Sequence, residues 1–259
     1  MINEIKNPEK ILTVENVTHI FDDKVVLDNV SFHVNEGEFL SILGPSGCGK
    51  TTILRSLIGL IKPTQGKIFL YDRDITDALP ADRDMGIVFQ NYALFENMTI
   101  LQNVQYAMKI KKHLRADSKE KAIEMLKRVD MYEHINKKPS ELSGGQQQRV
   151  AIARTLVLRP KIILFDEPMS ALDVDTRLIL RKEIKQIQEE FGITMIYITH
   201  DQEEAFAMAN RIMVMDEAQL VQVDTPMNII QNPANEYVQR FVVNNLKIKI
   251  DSLAKYIDA

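Results

Sequence analysis

The stretch GPSGCGKT, Gly44 to Thr51, constrains this chain more than any other feature. It fits the spacing G-x-x-x-x-G-K-[ST], after the apolar run FLSIL and before the helical pattern TTILRSLIGLI, the strand, loop and helix setting its chemistry requires. Glycines let the backbone curl until successive N–H groups point at phosphate oxygens, and the following helix adds the positive end of its dipole. Gly44, Pro45, Ser46, Gly47, Cys48, Gly49, Lys50, Thr51 and Thr52 are therefore candidate nucleotide-binding residues. Lys50 is expected to reach the β- and γ-phosphates and the Thr51 hydroxyl to ligate Mg²⁺, so ATP with Mg²⁺ is the predicted ligand. Cys48 sits at a variable position of the loop, and no catalytic thiol is expected there.

The rest of the chain reads as an α/β domain. The first 40 residues, rich in Val, Ile, Phe and Thr with Asp-Asp and Glu-Gly breaks, predict several short strands. After the loop the helical pattern runs up to Lys62-Pro63, and GKIFLYDRDI returns to strand. From about Tyr92 to Arg159 the pattern is mostly helical, with SKEKAIEMLKRVDMYEHI its clearest amphipathic part. KIILFDEP and ITMIYITH then read as buried parallel strands on either side of the helix VDTRLILRKEIKQIQEEF.

Composition narrows the function. At 45% hydrophobic and 26% charged the 259 residues can bury a sizeable core, which excludes disordered and collagen-like classes. A net charge of −4 supplies no overall basic field, so no nucleic-acid partner is expected. With one cysteine no internal disulfide can form, and a reducing cytosol is expected. Apolar runs are far shorter than the roughly 17 residues of a membrane span, so work at a membrane would need spans from other subunits. The basic run from Lys109 to Lys121 reads as a solvated face of the helical segment.

Two further segments carry chemistry. IILFDEP places Asp166 and Glu167 at the end of an apolar strand, where open α/β sheets gather their catalytic groups. Asp166 is suited to hold Mg²⁺ and Glu167 to orient or deprotonate an attacking water. LSGGQQQR, Leu142 to Arg149, has no acid, base or nucleophile of its own, yet Ser143, Gly144 and Gly145 open a helix that continues through VAIARTLVL. A helix start of that kind offers N–H groups and a dipole to an anion.

In this order, GPSGCGKT, LSGGQQQR and IILFDEPMSALD closely resemble the ATP-binding subunits of ABC transporters, over about Ile11 to Val243. The resemblance implies a P-loop NTPase (RecA-like) core over 1–91 and 159–243 with an N-terminal antiparallel β-subdomain, an inserted α-helical subdomain over 92–158, and a short tail over 244–259. It implies that Ser143, Gly144, Gly145 and Gln146 form the signature motif and Ser170 to Asp173 the D-loop, with Asp173 at the nucleotide. His200 in ITHD resembles the switch histidine, and Gln90 in VFQNYALF the Q-loop glutamine, a metal ligand and water sensor. Phe21 stands where the family stacks a tyrosine on adenine; the ring face is kept and the hydroxyl is lost. Glu167, His200 and Gln90 are thus the catalytic candidates, and Thr51, Gln90 and Asp166 the metal ligands.

The resemblance also implies partners. Ser143 and Gly145 of one chain would meet the γ-phosphate held by the Gly44 loop of another, in a head-to-tail ATP-sandwich dimer. Two transmembrane permease subunits, a solute-binding protein and a place on the cytoplasmic face of the cell membrane follow. VFQNYALFENMTI and ITHDQEEAFAMANRIMVM look most like importers for ferric iron, polyamines, maltose-type sugars, sulfate and phosphonates, with a lean to ferric iron or phosphonate. Alternatives are an exporter or lipoprotein-release ATPase, a non-transport ATPase acting on DNA or ribosomes, and a non-hydrolysing sensor, which the presence of both Glu167 and His200 opposes. The tail LKIKIDSLAKYIDA is too short for a regulatory domain and reads as a strand or a brief amphipathic helix.

Overall fold

A computed structural model describes residues 9–111, 114–170 and 172–257. The first eight residues of the expected core, Lys112 and His113 of the basic run, Ala171 of the expected D-loop and the last two residues of the tail lie outside the described residues. In chain order the elements are β1 (Lys10–Phe21), β2 (Lys24–Asn35), β3 (Phe39–Leu43), α1 (Lys50–Ile58), β4 (Gln65–Leu70), β5 (Arg73–Asp74) and β6 (Met85–Val88). Then follow α2 (Ile100–Ile110), α3 (Ser118–Arg128), α4 (Gly144–Leu156), β7 (Ile162–Asp166), α5 (Val174–Phe191) and β8 (Thr194–Thr199). Last come α6 (Gln202–Met208), β9 (Arg211–Asp216), β10 (Gln219–Asp224), α7 (Pro226–Gln231), α8 (Glu236–Val238) and α9 (Asn245–Ile257). The chain forms two compact units, Met1–Arg83 with Gln188–Ala259, and Asp84–Ile187.

In the first unit β2, β1, β4 and β5 lie side by side in an antiparallel sheet. The opening segment is not several short strands but two of twelve residues, followed by β3. Asp22 and Asp23, at φ 46° and 61°, make the two-residue hairpin loop that closes Phe21 on Lys24. Irregular pairing on either side of Val17 is absorbed as bulges, with Asn16 N–H donating to Ser31 Oγ at 2.7 Å, so the strands bend without ending.

The same unit holds β10, β9, β3 and β8 as neighbouring strands. β3 runs parallel to β8 and β9, and every residue of β3 and β8 is buried, as strands covered on both faces require. The register sets Leu43 opposite Thr199, so the chain leaves β3 into Gly44 and β8 into His200 at adjacent carboxyl ends. α1 stops at Ile58, short of the expected boundary, because Gly59 takes the left-handed conformation at φ 85° and its N–H caps the helix. Leu43, Ala205, Ile212, Val214, Ile229, Val238 and Val242 form one apolar cluster, with Leu246 packed at its edge. Of the two forms open to the tail, it takes the helix, α9.

The second unit pairs β6 parallel to β7, with Val88 opposite Phe165. The strand ends leading to Gln90 and to Asp166-Glu167 are therefore neighbours. Three helices, α2, α3 and α4, lie between these strands in sequence; the unit is wider than residues 92–158 because β6, β7 and most of α5 cluster with them. The long amphipathic run is broken: α3 ends at Arg128, Asp130 turns left-handed at φ 55°, and a single 3₁₀ turn covers Tyr132–His134.

Candidate functional site

In the first unit the Gly44 loop is shaped by what its glycines avoid. A Cβ on Gly44 would stand 2.6 Å from the Met215 carbonyl oxygen and 2.7 Å from Cys48 Sγ. Gly49, at φ 103°, is the N-cap of α1, and a Cβ there would stand 2.6 Å from the Val26 carbonyl oxygen. Because the cap is a glycine, no N-cap side chain closes the start of α1, and the helix offers the positive end of its dipole to an anion. Lys50 is buried and its Nζ donates to the carbonyls of Gly44 and Pro45, both at 2.8 Å, so the ammonium lies across its own loop.

Around it Ser46 and Gly47 are exposed, Pro45, Thr51 and Thr52 are half-buried, and the Thr52 carbonyl accepts from Ser56 Oγ at 2.9 Å. Burial pushes the Cys48 thiol up against the pull of Lys50, which leaves it an inert packing group at neutral pH. Phe21, 65% exposed at the end of β1, presents an open ring. His200 is exposed beyond β8, and the next residue, Asp201, caps α6 through Glu203 N–H at 2.7 Å.

In the second unit Asp166 ends β7 and Glu167 follows at φ 45°, a left-handed conformation that an L-residue holds only when its surroundings impose it. Ser170 imposes it: its N–H and its Oγ both donate to the Glu167 carbonyl, at 3.3 and 3.0 Å. Gln90 Nε2 donates to the same Ser170 Oγ at 2.9 Å, which brings Gln90 and Glu167 into one hydrogen-bonded chain. Asp173 is engaged locally, accepting from Thr176 N–H at 2.9 Å and Thr176 Oγ1 at 2.7 Å before α5, and these bonds hold its carboxyl below the usual range.

The residues of SGGQQQR divide among capping, close packing and pairing. Ser143 is the exposed N-cap of α4 and forms a reciprocal capping box with Gln146. Gly144 and Gly145 admit α5 and its approach, since a Cβ on either would meet Leu172 at 2.7 Å or Thr176 at 3.2 Å. Gln147 holds the preceding turn through the carbonyls of Pro139 and Leu142, at 3.0 and 3.3 Å. Arg149 pairs with Glu183 of α5, its Nε at 2.9 Å, and with Asp130 at 3.5 Å. Ser143, Gly145, Gln146, Arg149, His134 and Thr176 border a cavity of about 310 Å³.

A second cavity, about 250 Å³ and mostly apolar, lies among Gly86, Ile87, Phe95, Tyr106, Arg154 and Leu158. No helix among the described residues is long and apolar enough to cross a membrane.

Residues 27–170 match the family model described as ABC transporter, more than half of the chain. The chain belongs to the ABC transporter family. As an ATP-binding subunit of that family it is an ATPase. It is 46% identical over 241 residues to the spermidine/putrescine import ATP-binding protein PotA of Bacillus cereus, covering 93% of this chain and 74% of that protein. PotA of Oleidesulfovibrio alaskensis is 47% identical over 232 residues, 90% of this chain and 62% of that one.

Among solved structures, the dimeric post-hydrolysis state of the ATP-binding cassette MJ0796 bound to ADP and Pi is similar at TM-score 0.72 and 35% identity, over 83% of this chain and 98% of that one. The cbiO1 subunit from Clostridium perfringens, part of the ABC transporter complex cbiONQ, is similar at TM-score 0.81 and 26% identity, over 97% of this chain and 100% of that one. The expected lean to ferric iron or phosphonate finds no support in the relatives, which carry polyamine names.

In this ABC ATPase two residues of the site escaped the sequence reading. Ser170 entered only as the first letter of SALD, and nothing in its type announced a link between Gln90 and Glu167. Arg154 entered only as part of the apolar run after the signature. The one signal available was a cation inside VAIARTLVL, on a helix face otherwise buried.

Proposed function

We propose that this chain is the ATP-hydrolysing subunit of an importer for small organic polycations of the spermidine and putrescine kind. The observation that carries the reading is the pairing of strand ends within each unit: Leu43 beside Thr199, delivering the Gly44 loop and His200, and Val88 beside Phe165, delivering Gln90 and Glu167. Polyamine as the cargo rests on the PotA relatives.

In this reading Lys50 leaves the Gly44 and Pro45 carbonyls for the β- and γ-phosphates, and the uncapped first turn of α1 receives the remaining phosphate charge. Phe21 stacks on the adenine and Glu167 is the general base toward water, with His200 steadying the charge that develops on the γ-phosphate. The Thr51 hydroxyl, the Asp166 carboxylate and Gln90 Oε1 are hard oxygen donors. With Gln90 Nε2 turned to Ser170, its oxygen is the ligating end, so this donor set fits Mg²⁺, which would neutralise phosphate charge when bound.

Ser143 and Gly145 act in trans on the nucleotide of a second copy, with Gly144, Gln146 and Asp173 shaping that contact. Two permease subunits hold the dimer at the cytoplasmic face of the membrane, and the apolar cavity beside Phe95 and Tyr106 suits a permease segment. A solute-binding protein delivers the cargo.

The test is reconstitution of this subunit in vesicles with the permease and binding protein that this reading expects beside it in the genome, measuring phosphate release. Spermidine or putrescine should stimulate turnover, and ferric iron or a phosphonate should not. Stimulation by either of the latter alone would reassign the cargo and leave the ATPase reading standing.

A further inference from the structure

We infer that Arg154 is a positioning residue: it clamps the strained corner after Gln90 to the far end of the signature helix, so that Gln90 and Ser143 move as one body. The inference rests on the roles proposed above for Gln90 and Ser143. Two residues past Gln90 the backbone turns left-handed twice in succession, at Tyr92 (φ 59°) and Ala93 (φ 46°), neither of them glycine. Such a corner reverts unless something holds it. Its internal bonds are local, Tyr92 N–H to Phe89 at 2.9 Å and Ala93 N–H to Asn91 at 2.6 Å.

The external hold is Arg154, in the last turn of α4. Its Nη1 donates to the Ala93 carbonyl at 2.6 Å and its Nη2 to the Tyr92 carbonyl at 2.8 Å. The guanidinium also lies over the Phe95 ring, 5.8 Å from the centroid, and that ring packs on Tyr106.

Each arm of one planar fork takes one of two adjacent carbonyls while the guanidinium lies over Phe95, an arrangement that a lysine's compact ammonium on its flexible stem holds less rigidly. Among the described residues Arg154 has no carboxylate partner, so its charge is spent on this corner. Burial alone lowers its pKa, the mark of a cation kept from water by its task.

At its other end α4 begins on Ser143, and the Tyr92 hydroxyl lies 3.8 Å from where a Cβ of Gly144 would be. The last turn of the helix thus holds the Gln90 corner, and the Tyr92 side chain reaches its first turn. Its 13 residues span about 20 Å, a rigid strut between the signature and Gln90.

The test uses the full chain with Arg154→Met and Arg154→Lys, alone and combined with Gln90→Ala or Ala93→Gly. Amide hydrogen exchange of residues 89–96, read without nucleotide, should quicken about tenfold in Arg154→Met and less in Arg154→Lys. ATP turnover should fall about tenfold with the KM for ATP within twofold. In the Gln90→Ala background Arg154→Met should cost nothing further, and Ala93→Gly should restore part of the turnover, because glycine holds the left-handed corner without a clamp.

Unchanged exchange in a folded variant, or losses that multiply with Gln90→Ala, would overturn the inference. If Arg154→Met does not fold, Arg154→Lys decides the same comparisons. A wild type without ATP turnover sinks the functional reading, while the exchange measurement still judges the clamp.

Discussion

Gln90 Nε2 donates to Ser170 Oγ, and Ser170 Oγ donates in turn to the Glu167 carbonyl, so one hydroxyl ties the loop after β6 to the strained residue after β7. Glu167 sits at φ 45°, and its carboxylate direction depends on keeping that conformation. Ser170→Ala removes the hydroxyl bond to the Glu167 carbonyl and keeps the Ser170 N–H bond to it. One such hydrogen bond is worth about 1 kcal/mol, so ATP turnover should fall about fivefold with the KM for ATP unchanged. Steady-state phosphate release checks it, and a rise in KM with constant kcat would mean that Ser170 serves binding.

Glu167→Gln keeps the shape of the side chain and removes its basicity. Turnover should fall about 10²- to 10⁴-fold, the usual range for a lost general base. ATP binding should persist, and an ATP-bound dimer should accumulate in size-exclusion chromatography. Equal turnover in the two proteins removes Glu167 from the chemistry.

Ser143→Arg tests whether the signature acts in trans. The substitution also deletes the cap of α4, worth about 1 kcal/mol, so Ser143→Ala is the control that removes the cap without adding bulk. Both should bind nucleotide as monomers; only the arginine variant should lose dimer closure and hydrolysis completely. Loss of monomer binding in both would make the segment a fold element.

Asp173 gives a pH signature. Hydrogen bonds from Thr176 depress its folded pKa, so its stabilising effect is complete above the ordinary carboxylate value of about 4 and is lost as pH falls through the lower folded value. Asp173→Ala should lower the urea midpoint at pH 7, and the gap from wild type should close below about pH 4. A gap that widens toward acid contradicts the assignment.

What the sequence disclosed followed from how local each signal was. The helix Val174–Phe191 was legible from end to end because its pattern is uninterrupted, and β7 and β8 because buried parallel strands are short apolar runs between polar ends. The Gly44 loop was legible because its chemistry demands a fixed spacing. The bulges in β1, the left-handed Asp130 that ends α3, and the Lys50 ammonium folded onto its own loop were not, since each is settled by contacts that spacing does not encode. Arg154 reads in sequence as an ordinary cation near a helix end; its partners lie 61 and 62 residues away.

Arg83 offers a test of how the phosphate-loop helix is anchored. It is 1% exposed, and its guanidinium donates to the carbonyls of Ser56 and Leu57 at 2.7 and 2.9 Å, Thr76 at 2.8 Å and Ala78 at 2.9 Å. Two of these are last-turn carbonyls of α1, the helix whose other end opens the Gly44 loop. Gly59 makes room for it, since a Cβ there would stand 2.6 Å from Arg83 Nε. Arg83→Leu fills much of the volume and removes the guanidinium donor from these carbonyls, of which Ser56 keeps the Gly59 N–H at 3.3 Å, with a penalty of about 1–3 kcal/mol for each group left unsatisfied. Chemical denaturation should show a loss of about 3 kcal/mol, and the ATP KM should rise as α1 loosens. A variant as stable as wild type would mean that water replaces the guanidinium and that α1 is held by its apolar face alone.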